Sequence, residues 1–227
     1  LEGPFGYFGM IEAGGDLARI LSDIGKVWRI TEVAHKPFPS GRASHGMLDG
    51  FIELKAEHGL AADDVESAEA RVPPLTHHLV GRPVTDDMAV NYARLCGAYV
   101  SACAILRGEL GLEDFSEEAR RDEARLALGR RIKVVADGNP NPNALTPVTV
   151  RIRLKDGREL SRSIDTVYGN PARPMSREAH VHKFRRNFAS ALTPLPLENA
   201  DRLIEMLDKV EELQDVRRIG ELLIPAT

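Results

Sequence analysis

The chain has 227 residues, 43% apolar and 28% charged, the balance of a folded protein with a buried core, which excludes disorder and a fibrous fold. Thirty basic against 34 acidic residues leave a formal charge of -4, so no general affinity for nucleic acid or an anionic membrane is expected. No apolar run approaches the ~18 residues of a membrane helix, and the opening L-E-G-P-F-G-Y-F lacks a secretion signal's basic start and apolar core, so a cytoplasmic protein without a membrane partner is expected.

Along the chain, a glycine- and aromatic-rich opening (Gly3, Phe5, Phe8, Gly9) precedes Leu17, Ile20, Leu21 and Ile24, whose spacing predicts one short helix. Residues 1–35 read as the end of a truncated helical domain. Pro37 and Pro39 then hold the chain extended, Ser40 and Gly41 favour a turn, and Met47, Leu48, Phe51, Ile52 and Leu54 predict a helix over 44–58. A strand over 65–72 stops at Pro73 and Pro74, leaving His77 and His78 in a loop. A helix is predicted from Asp86 to Arg107, capped by Thr85 or Asp86. Its apolar face carries Cys96 and Cys103, read as buried reduced thiols, since neither metal spacing nor a disulfide framework is present.

Residues 113–131 read as one or two short surface helices. The period then changes. Residues 132–136 read as a strand, 139–143 as a loop, and Val148, Val150, Ile152 and Leu154 alternate with polar residues as a half-buried strand does. Asp156-Gly157 supplies a hairpin turn and 158–164 returns as the partner strand. Pro174-Met175-Ser176 introduces a helix over 178–188, and amphipathic segments at 197–207 and 210–223 close the chain. The fold class is α+β: a small, mainly antiparallel sheet covered by helices, plus closing C-terminal helices. Residues 36–175 form the α+β part and 176–227 the closing helices.

The block K-P-F-P-S-G-R-A-S-H brings Lys36, Arg42 and His45 to a helix start, where unpaired backbone N–H groups favour anions. Lys36 and His45 can serve as an acid/base pair, the alternative being a capping histidine and a solvated lysine. Arg42 suits a two-point grip on a carboxylate, or is a surface arginine. His77 and His78 lack a third ligand at metal spacing, so no metal is expected. His180 and His182 cannot share one helix face and read as surface residues. Glycine-rich phosphate loops and a serine-hydrolase elbow are absent.

Together with the opening L-E-G-P-F-G-Y-F, the segment from Asn91-Tyr92-Ala93 to Gly108, the Asp156-Gly157 hairpin and D-T-V-Y-G-N-P-A-R-P-M-S followed by Lys183-Phe184, this block resembles the MmgE/PrpD family. The family includes 2-methylcitrate dehydratase, decarboxylases and epimerases, and the resemblance is to its C-terminal half. It implies a lid domain, a lyase or isomerase reaction by proton transfer α to a carboxylate, a small di- or tricarboxylate substrate and no cofactor. By motif position Lys36 corresponds to the family's active-site lysine and His45 to a recurring histidine. Ser40, Gly41 and Arg42 then border the substrate, with His78 loosely aligned to a substrate-contacting tyrosine. Gly41 stands where the decarboxylase has a catalytic histidine, which favours dehydration or epimerisation. A homo-oligomer, a dimer, is expected. The alternative is a non-catalytic lid or interaction module that requires a separate helical partner.

Overall fold

Alternating burial fixes where the sheet forms. In the computed structural model, which describes residues 6–7 and 16–225, Val148, Val150, Ile152 and Leu154 are buried while Arg151 and Arg153 face solvent. The chain divides into two units, Leu1–Ala34 and His35–Thr227. In the first, helix α1 (Leu17–Ser22) starts at Asp16, whose carboxylate accepts the Arg19 N–H at 3.1 Å. Ile24, Trp28 and Ile30 beyond it are exposed. The opening glycines and aromatics at Gly3, Phe5, Phe8 and Gly9 lie outside the described residues.

The second unit runs α2 (His45–His58), β1 (Val65–Val72), α3 (Pro74–Val80), α4 (Val90–Arg94), α5 (Gly97–Arg107), α6 (Glu117–Arg121), α7 (Glu123–Arg130), β2 (Ile132–Ala136), β3 (Val148–Leu154), β4 (Glu159–Ile164), α8 (Arg177–Ala189), α9 (Glu198–Leu207) and α10 (Arg217–Glu221). The sheet order is β2-β1-β3-β4. β3 pairs antiparallel with β1 and β4, while β2 lies parallel to β1, with Val72 opposite Ala136. The fold is therefore α+β with a mainly antiparallel sheet. Its parallel pair requires the long crossover that α3 to α7 supply.

Helix α2 lies unusually deep: every residue from Ala43 to Phe51 is buried. Two glycines permit this. A Cβ on Gly46 would stand 2.8 Å from a Val148 methyl, and one on Gly50 2.6 Å from a Val150 methyl, so the helix backbone sits directly on β3. Met47, Leu48, Phe51 and Leu54 join Tyr99, Val100, Cys103 and Ile105 of α5 in the core. Cys96 and Cys103 are buried free thiols.

Two expectations need correction. His77 and His78 lie in α3, not in a loop, because Pro74 takes the first helical turn, where its missing N–H has no partner to lose. The continuous helix read over 86–107 is two helices, separated where Cys96 turns extended and bridges to Gly81. Its apolar spacing carries across the break, so periodicity alone conceals it. The last segment is also shorter than read: a 3-10 turn at Val210–Glu212 and then α10.

Asp114 is fully buried between Arg107 (3.0 Å) and Arg125 (3.2 Å) and accepts the Gly111 N–H at 2.9 Å. Arg107 also holds Glu109 and Glu113, which in turn grip Arg186 of α8 at 2.7 and 2.5 Å. This lattice fastens the closing helices, whose own small core is Phe188, Ala200, Leu203 and Leu222. No helix among the described residues is long and apolar enough to cross a membrane.

Candidate functional site

The segment bearing Lys36 is held from below. The His35 N–H donates to the Gly169 carbonyl at 2.8 Å, and Gly169 donates to the Arg173 carbonyl at 2.9 Å. Gly169 adopts φ +86°, and a Cβ there would run into the His35 carbonyl, so this turn needs glycine twice over. The turn itself hangs on Asp49, one helical turn after His45. Its carboxylate accepts the Tyr168 N–H at 2.6 Å and faces Arg173 at 3.3 Å, while Arg173 reaches Glu53 at 2.6 Å. Burial pushes the Asp49 carboxyl up to about 6, against the Tyr168 N–H and Arg173, which pull it down.

Above this turn lies a cavity of about 480 Å³. One side is Lys36 to Pro39, another Leu110 to Glu113, with Tyr168 and Met175 between. The third wall is one face of α8, where Ala179, His182, Lys183, Arg186 and Ser190 recur at helical spacing. The Lys183 ammonium donates to the Lys36 carbonyl. Burial lowers the Lys183 pKa and the neighbouring Lys36 charge lowers it further. Among the described residues neither lysine has an ion-pair partner, and the lining carboxylates, Glu109 and Glu113, are already engaged by Arg107 and Arg186. The cavity is a basic recess with Pro37, Phe38, Leu110 and Met175 as apolar surface, a setting for a small organic anion.

Of the expected site residues, Lys36 is the one that lines this cavity. Ser40 is buried, its hydroxyl 2.9 Å from that of Ser44, which donates to the Gly41 carbonyl at 2.8 Å. The Gly41 N–H donates to the Arg94 carbonyl at 3.0 Å, and a Cβ on Gly41 would stand 2.7 Å from a Leu95 methyl. Arg42 is half-buried beside the field of Asp49; burial lowers its pKa and Asp49 opposes that. His78 is exposed on α3, away from the cavity lining.

His45, expected as an acid/base group, is fully buried under the edge of Phe38, ring centroids 5.3 Å apart. Among the described residues neither ring nitrogen makes a well-formed hydrogen bond, although the Ser40 backbone lies close enough to oppose the loss of the proton. Burial, then the charges of Arg42 and Lys36, pull its pKa down to about 3, so the ring is neutral. Residues that sequence reasoning did not assign to the site are Asp49, Tyr168, His182 and Lys183: His182 was read as a surface residue, and Tyr168 and Lys183 entered only through the motifs of the resemblance. His180, read as a surface residue, is half-buried edge-on to His35 at 4.7 Å, while His182 is exposed on the cavity wall. No cluster of metal-binding side chains occurs among the described residues.

Comparison with known proteins follows the same lines. Residues 38–211 match the family model described as the MmgE/PrpD C-terminal domain. The chain is 29% identical over 207 residues to a cis-aconitate decarboxylase of Mus musculus, covering 87% of this chain and 41% of the relative. It is 27% identical over 199 residues to the Homo sapiens cis-aconitate decarboxylase, covering 85% and 40%. The chain thus spans about two-fifths of the length of these curated relatives.

Proposed function

We propose, since the chain belongs to the MmgE/PrpD family, that it forms part of a lyase or isomerase acting on a small di- or tricarboxylate by proton transfer α to a carboxylate. The observation that carries this reading is Lys36, a cation without an ion-pair partner among the described residues, on the wall of a recess sized for a small acid. When a proton leaves the carbon next to a carboxylate, the electron pair left behind spreads onto the carboxylate oxygens. An ammonium fixed beside those oxygens stabilises the developing charge more than it stabilises the starting acid. The imidazole available to exchange a proton in the cavity is His182, whereas His45 props Phe38 from beneath as a neutral ring.

The relatives are decarboxylases by name, yet dehydration or epimerisation remains the favoured chemistry here. The resemblance sets the decarboxylase histidine at Gly41, and the Leu95 side chain occupies the space that any side chain at 41 would need. The second reading, a non-catalytic lid or interaction module, draws support from the exposed Ile24, Trp28 and Ile30, which equally support self-association. A cytoplasmic setting is supported by the unpaired Cys96 and Cys103.

Calorimetric titration of the chain with 2-methylcitrate and with citrate tests the leading reading. Lys36→Ala should weaken binding at least ~10-fold, as loss of a charge-assisted contact does, and leave the circular dichroism spectrum unchanged. Equal affinity in the parent and the variant overturns it.

A further inference from the structure

We propose that Lys183 is a second carboxylate-binding residue, so that Lys36 and Lys183 together select an anion carrying two carboxylates over one carrying a single carboxylate. The inference rests on the reading of the cavity as a carboxylate site and adds the residue that fixes how many charges it takes.

Four observations support it. Lys36 and Lys183 stand 147 residues apart in the chain, yet the fold sets the Lys183 ammonium on the Lys36 backbone carbonyl at the same cavity wall. That is the one hydrogen bond of the Lys183 side chain among the described residues, so two of its three donors remain for a ligand. The position is not a solvated accident of the helix surface. Arg186, less than one turn further along α8, is clamped by Glu109 and Glu113, and this fixes the helix rotation that aims Lys183 inward.

The charge balance points to the ligand. The acids of the wall, Glu109 and Glu113, are each ion-paired with both Arg107 and Arg186, and among the described residues neither makes an ion pair with Lys36 or Lys183. Two lysines thus line one cavity, the Lys36 charge near enough to lower the pKa of the partly desolvated Lys183, and neither has an ion-pair partner among the described residues, an arrangement that costs free energy until an anion binds them both. A monocarboxylate can neutralise one lysine and leaves the other repelled. A dicarboxylate satisfies both while its carbon skeleton lies on Pro37, Phe38 and Met175.

The test uses the whole chain, with succinate and propionate as probes in calorimetric titration. The parent should bind succinate at least ~10-fold more tightly than propionate. In Lys183→Ala that ratio should fall to about 2 or less, with propionate affinity retained because Lys36 still holds one carboxylate. Lys183→Gln, which keeps a donor but not the charge, should behave as Lys183→Ala does, and Lys183→Arg should keep part of the preference. Circular dichroism of Lys183→Gln controls for folding. If Lys183→Ala and Lys183→Gln preserve the parent's ratio, this proposal fails while the carboxylate reading stands. If the parent binds neither acid, the carboxylate reading fails and this proposal falls with it.

Discussion

A His45→Leu chain should withstand acid better than its parent. The buried ring has no well-formed hydrogen bond among the described residues and has cationic neighbours, and it takes up a proton only at about pH 3. In the unfolded chain the same imidazole protonates near its ordinary value of 6.5. Between those two values the unfolded state holds more protons, so folding stability falls as the pH is lowered, by ~1.4 kcal/mol per pH unit. At pH 4.5 the accumulated loss from this one residue is roughly 3 kcal/mol.

Asp49 works in the opposite sense. Its folded carboxyl takes its proton at about 6 and its unfolded one at about 3.8, so within that interval the folded state holds more protons and acidification returns stability. The parent therefore carries two opposed slopes one helical turn apart, and leucine at position 45 removes one of them. Urea titrations of both chains at pH 7 and pH 4.5 should show the variant gaining ~3 kcal/mol on the parent between the two conditions. Parallel pH profiles would mean that His45 accepts a proton in the fold, and would return it to the list of acid/base groups.

Asp114→Ala should be the most damaging single change outside the hydrophobic core. It leaves Arg107 and Arg125 facing each other without the carboxylate between them and the Gly111 N–H bare. Breaking a buried pair in this way costs about 3–5 kcal/mol, which in a chain of this length corresponds to a fall in Tm on the order of 10 °C. The effect should reach the cavity, because Arg107 also orients Glu109 and Glu113, the residues that hold Arg186 and with it the α8 wall. Asp114→Asn keeps an acceptor for Gly111 and should recover part of the loss. A melting point for Asp114→Ala within ~2 °C of the parent would show that the arginines find other partners.

The elements that were legible in the amino-acid sequence are those whose signals are local. Val148 to Leu154 alternate over the full length of β3, and Asp156-Gly157 marks the turn, so the hairpin needed no tertiary information. The break between α4 and α5 was hidden because the apolar spacing of Tyr92, Leu95 and Tyr99 runs through it, and the backbone pairing of Gly81 with Cys96 is a long-range event. The same distinction divides the site. Lys36 stands just before two prolines and a turn that draw attention to it. Lys183 lies in a polar helix among Arg177, Arg185 and Arg186, where no spacing rule separates the lysine that turns inward from the arginines beside it. His45 was correctly set at a helix start, but its complete burial depends on Gly46 and Gly50 meeting Val148 and Val150 some hundred residues later.

The parallel pairing of β2 with β1 bears on the order in which this molecule can assemble. The β3–β4 hairpin closes across a short turn and can form early, and β1 can then dock on an existing template. That docking, and the pairing of β2 with β1, both wait for the connection through α3 to α7 to be compacted, because the entropy lost in closing that loop comes before the contacts that offset it. Lys36 and Lys183 are separated by a longer stretch than either strand pair and meet only once α8 is fastened to Glu109 and Glu113. A refolding chain would acquire its sheet first and its capacity to hold an anion last.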